Sequence, residues 1–86
     1  MDCYELVWKR SAERGLRKLP REVIAALVLL AEGLVCDPYP PGARKLAGAR
    51  HTWRVRSGDY RLIYTVEAAR LVVQVIRVGH RREVYR

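Results

Sequence analysis

Eighty-six residues, half of them apolar, allow a single modest core; they exclude both a second domain and a disordered chain, so residues 1–86 are expected to form one domain. The formal charge is +8 and unevenly spread: residues 1–49 hold eight Lys/Arg against six Asp/Glu, whereas residues 50–86 hold nine arginines against three acids. Arginine's planar fork of donors matches phosphate, so the C-terminal half is expected to meet a polyanion, with a plain solubilising surface as the alternative.

Cys3 and Cys36 stand far apart without metal-ligand spacing, and are expected to be buried or idle thiols in a reducing cytosol. The longest apolar run, VIAALVLLA at 23–31, falls short of the roughly 20 residues that cross a bilayer. The N-terminal MDCYELVWKR carries charges where a secretory leader would be apolar, so the expectation is a cytoplasmic protein without a membrane partner.

In chain order, YELVW (4–8) reads as a strand. Ser11 then reads as the N-cap of a short helix, with Glu13 in its first turn, a weakening Gly15 and a limit at Pro20. Pro20 suits the first turn of a second helix, where Val23, Leu27, Leu30 and Leu34 share one row and Ile24, Val28, Ala31 and Val35 the next. So broad an apolar face calls for a sheet to lie on. The stretch DPYPPGARKLAGA (37–49) is expected to be irregular, held to the core by Leu46.

Three strands follow. HTWRVR (51–56) alternates Trp53 and Val55 against Thr52, Arg54 and Arg56, with His51 on the Trp53 side. Ser57-Gly58-Asp59 is a hairpin turn, after which YRLIYTV (60–66) alternates Tyr60, Leu62, Tyr64 and Val66 against Arg61, Ile63 and Thr65. LVVQVIRV (71–78), apolar on both sides, reads as an interior strand that Gly79 ends, releasing His80 and the tail. The order β-α-α-β-β-β predicts an α+β domain, two helices on one face of a small, mostly antiparallel sheet. Its bare face should then carry Arg54, Arg56 and Arg61, with His80, Arg81, Arg82 and Tyr85 nearby.

ARKLAG (43–48), WRVRSGDYRLIY (53–64) and VIRVGHRREVYR (75–86) resemble the RelE family of bacterial toxin–antitoxin toxins. The resemblance covers essentially the whole chain. It implies a cytoplasmic toxin of a bacterium or archaeon that enters the A site of the small ribosomal subunit, meets rRNA there, and cleaves the mRNA without metal or cofactor. A cognate antitoxin would neutralise it, and the pair would bind the operator DNA of its own genes. By the same resemblance Arg61 grips phosphate, Arg81 stabilises the transition state or leaving group, and Tyr85 is general base or stacking platform. Arg56, Arg82 and Lys45 would add phosphate contacts.

The chain departs from the family's pattern in its ionisable groups. Arg54 stands where relatives place a lysine and cannot release a proton, while Thr52 stands where another lysine occurs. His80, with an ordinary pKa near 6.5, becomes the substitute acid or base. No glutamate is placed to serve as a base, and Glu83 reads as an ion-pair partner. Two other functions stay open: a non-catalytic toxin resembling the ParE branch, which contacts DNA gyrase, and a plain basic RNA-binding module. The Arg61, Arg81 and Tyr85 set speaks against the first. The lack of bare aromatic platforms speaks against the second.

Overall fold

A computed structural model describes residues 3–80, leaving Arg81, Arg82 and Tyr85 outside the described residues. Strand β1 (Glu5–Trp8) leads into helices α1 (Arg10–Arg17) and α2 (Arg21–Leu34). A two-residue strand β2 (Arg44–Lys45) precedes the meander β3 (Thr52–Ser57), β4 (Tyr60–Glu67) and β5 (Val72–His80). The sheet order is β1-β5-β4-β3-β2, with β1 parallel to β5 and the other pairs antiparallel. Two helices on a five-stranded mixed sheet are the α+β architecture expected from the residues.

The helices bury one sheet face. Leu27, Ala31 and Leu34 of α2 and Ala12 of α1 close on Leu62, Tyr64, Val66, Val73 and Val75, each at most 2 % exposed. Burying each large apolar side chain contributes roughly 1.5–3 kcal/mol. β5 is an interior strand, between β1 and β4, as its apolar character on both sides foretells.

Several local expectations are corrected. Ser11 is not an N-cap: Lys9 holds that position, and the Ser11 hydroxyl donates to the Ile76 carbonyl at 2.7 Å. Pro20 lies at the N-cap of α2 rather than inside its first turn. The 37–49 stretch is not wholly irregular, because Arg44 and Lys45 pair with Arg54 and Trp53 of β3. Tyr39 against Trp53, ring centroids 4.8 Å apart, and the Tyr64 hydroxyl donating to the Pro38 carbonyl at 2.6 Å tie this connection to the sheet. Leu46, the anticipated anchor, is half-buried. His51 precedes β3 in an exposed turn at φ 54°. Gly79 does not end β5, which continues through His80.

Cys3 and Cys36 are neither buried nor free; both are exposed and they form a disulfide. The fold brings the start of β1 to the end of α2, where the Tyr4 amide donates to the Val35 carbonyl at 2.6 Å. Among the described residues no helix is long and apolar enough to cross a membrane.

Candidate nucleic-acid interface

Strand alternation and register decide which side chains share the face away from the helices. Across β3 and β4, Arg56 stands opposite Arg61 and Arg54 opposite Ile63. Across β2 and β3, Arg44 stands opposite Arg54. Across β4 and β5, Arg61 faces Gly79 and Ile63 faces Arg77. Partners in register project to the same side of a sheet. Arg44, Arg54, Arg56, Arg61 and Arg77 therefore share one face, grouped around Ile63.

Two of those register pairs, Arg44 with Arg54 and Arg56 with Arg61, set like charges directly opposite each other. Such pairs destabilise a sheet by roughly the few tenths to 1 kcal/mol that opposite charges would contribute. Among the described strand residues, the acids of the same face are Glu5 and Glu67, which stand at its far end, each in register with Val72. Charge is thus segregated along the face, with an arginine end and an acidic end. Beside the arginine end, a cleft of about 330 Å³ is lined by Pro41, Gly42, Arg44, Arg54, Val55 and Arg56. Among the described residues no three His, Cys, Asp or Glu side chains gather as a metal-binding group.

Arg61 has a particular seat. Its neighbour on β5 is Gly79, which is buried and offers no side chain, so the arginine stem has room above that strand. The Nε of Arg61 is buried, which fixes the base of the guanidinium more firmly than on the exposed Arg56.

The structure gathers Arg54, Arg56 and Arg61 as the alternation of their strands foretells. Two further residues belong with them and were missed in the sequence. Arg44 was hidden because a Pro- and Gly-rich stretch gives no strand signal. Arg77 was hidden because β5 is apolar on both sides, and an irregularity opposite Ile63 and Tyr64 shifts its alternation. Lys45 is in register with Trp53, on the other side of the sheet from the arginines. His80 is in register with Tyr60 and meets it edge-on, ring centroids 5.6 Å apart, so it too is on the side opposite Arg61.

A family model described as the ParE toxin of the type II toxin–antitoxin system parDE matches residues 6–85. The toxin RelG of Mycobacterium tuberculosis is 38% identical over 87 residues, covering 96% of this chain and 97% of its own. Among solved structures, a RelBE toxin–antitoxin complex of Mycobacterium tuberculosis is similar at TM-score 0.79 and 31% identity, covering 91% of this chain and 98% of the matched one. The isolated RelE toxin of Escherichia coli is similar at TM-score 0.79 and 31% identity, covering 95% and 90% respectively.

Proposed function

Because the chain belongs to the RelE/ParE superfamily of type II toxin–antitoxin toxins, we propose that it is a ribosome-dependent endoribonuclease that cleaves mRNA in the A site. The observation that carries this reading is the pair of cross-strand arginine couples, Arg44 with Arg54 and Arg56 with Arg61, on the sheet face that neither described helix covers. A sheet that needed only solubility would not set like charges directly opposite. A phosphate between them converts the repulsion into charge-assisted hydrogen bonds.

The cleavage is transesterification. The 2′-OH loses its proton and attacks the adjacent phosphorus; the P–O5′ bond breaks, leaving a 2′,3′-cyclic phosphate and a 5′-oxygen that takes up a proton. Arg61 grips the scissile phosphate, and Arg54 and Arg56 offset the charge that builds on its oxygens. Arg54 does so without proton transfer, since a guanidinium does not deprotonate. Arg81 and Tyr85 keep the roles that the family resemblance implies, as charge stabiliser and as base or stacking platform, and Arg82 adds a phosphate contact. A phenol with a pKa near 10 works as a base only where nearby cations lower it. His80 faces Tyr60, so the proton passes through Tyr85 in this reading. Lys45, across the sheet from the arginines, contacts flanking RNA outside the cleavage site.

The partners are mRNA and the ribosomal A site. A cognate antitoxin, such as the RelB of the solved complex from Mycobacterium tuberculosis, would cover the arginine face. Operator DNA would be bound by the complex of the two. The protein would act in the cytoplasm, where thiol reductants would meet the Cys3–Cys36 bridge.

The test is mRNA cleavage on programmed ribosomes. Wild-type protein is expected to cut, Arg61→Ala to lose on the order of a hundredfold in rate while staying folded, and Tyr85→Phe to lose activity that His80→Ala retains. The matching family model carries a ParE description, which keeps gyrase inhibition as the second reading. Intact mRNA together with blocked gyrase supercoiling would establish that reading instead.

A further inference from the structure

β1 stops at Trp8, the partner of Val75, so among the described residues no strand pairs with β5 on that flank from Ile76 onward. Helix α1 lies there instead. Ser11 donates to the Ile76 carbonyl at 2.7 Å, and a Cβ on Gly15 would stand 2.8 Å from the Val78 carbonyl oxygen. These small residues let the helix sit on the strand backbone, while longer cations flank the contact. Arg14 of α1 and Lys18 at its C-cap, four residues apart, lie on the same side, and both are exposed. Together with Arg77 they open onto a cleft of about 410 Å³ floored by Ser11, Gly15 and Gly79. Among the described residues that line it, none is acidic.

We infer that this cleft is a second phosphate-binding site, which holds the sugar-phosphate backbone of an RNA strand as it leaves the arginine face around the flank of β5. Arg77 joins the two surfaces: its register partner Ile63 lies within the arginine group, and Arg77 is also among the residues that line the α1 cleft. The cleft presents cations, small residues, Leu19 and Val78, a lining suited to backbone phosphates, contacts that position a strand without reading its sequence. A nucleic-acid strand carries a charge at every nucleotide and satisfies both surfaces without a gap. An acidic peptide would need carboxylates matched to each cation.

The inference rests on the nucleic-acid reading of the arginine face, and the experiment separates the two. Binding of the full chain to a short single-stranded RNA is followed by fluorescence anisotropy over a salt series, with circular dichroism melts confirming that each variant is folded. The variant Arg14→Ala/Lys18→Ala is compared with Arg21→Ala/Arg70→Ala, which removes two cations away from the cleft. Loss of two phosphate contacts should reduce the slope of log K against log salt by about 1.4 in the first variant, with the second close to wild type. An unchanged slope in the first, or equal reductions in both, would overturn the inference. So would loss of oligo-glutamate binding with RNA binding intact, which would assign the cleft to an acidic protein segment. Should Arg61→Ala abolish cleavage on ribosomes while the slope stays unchanged, the second site alone fails. Should no cleavage occur at all, the catalytic reading fails and the slope still decides the cleft.

Discussion

Tyr64 has no exposed surface, and its hydroxyl donates to the Pro38 carbonyl, securing the 37–49 connection to the middle of the sheet. Burial, with Tyr39 and Asp37 nearby, pushes that hydroxyl up from 10.0 to about 12. The raised pKa gives the stability a direction in pH. Below pH 10 the phenol is protonated in both folded and unfolded chains, and its contribution is fully present. Between about 10 and 12 the unfolded chain releases the proton while the folded chain keeps it, so stability falls by about 1.4 kcal/mol per pH unit. Urea melts across that window should show the fall, and Tyr64→Phe should flatten it. The aromatic and apolar side chains on this face of β4 could be read from alternation alone. The hydrogen bond to Pro38, 26 residues away, could not.

At the scale of elements, the two helical glycines have opposite roles. In α1, Gly15 reads in the sequence as a weak point, yet a Cβ there would meet the Val78 carbonyl oxygen, a backbone atom that cannot swing aside. Gly15→Ala gains about 1 kcal/mol of helix propensity and loses about 1–3 kcal/mol to overpacking, so the clash wins. In α2, nothing lies within 4 Å of a Cβ on Gly33, and Gly33→Ala should stabilise by about 1 kcal/mol. Urea midpoints of the two variants should therefore move in opposite directions. The same packing explains why Ser11 does not cap α1: its hydroxyl is committed to the Ile76 carbonyl on the flank that β1 leaves open.

For the whole molecule, the Cys3–Cys36 bridge spans 33 residues and closes a loop that contains both helices. In the chain-entropy picture a link of that span stabilises by roughly 3–4 kcal/mol, so reduction should lower the Tm by about 10 °C or more. Melts with and without dithiothreitol check this, and Cys3→Ser/Cys36→Ser should match the reduced protein and ignore the reagent. The two helices, the four longer strands, the helix-covered apolar face and the shared side of Arg54, Arg56 and Arg61 are legible in the residues alone, because periods of 3.6 and 2 residues are local properties of the chain. Strand register and packing settle the parallel seat of β1 beside β5, the disulfide, the addition of Arg44 and Arg77 to the arginine face, and the places of Lys45 and His80 on the other side of the sheet. Each of these depends on register between strands or on packing between distant segments. Neither leaves a mark in the residues of any one segment.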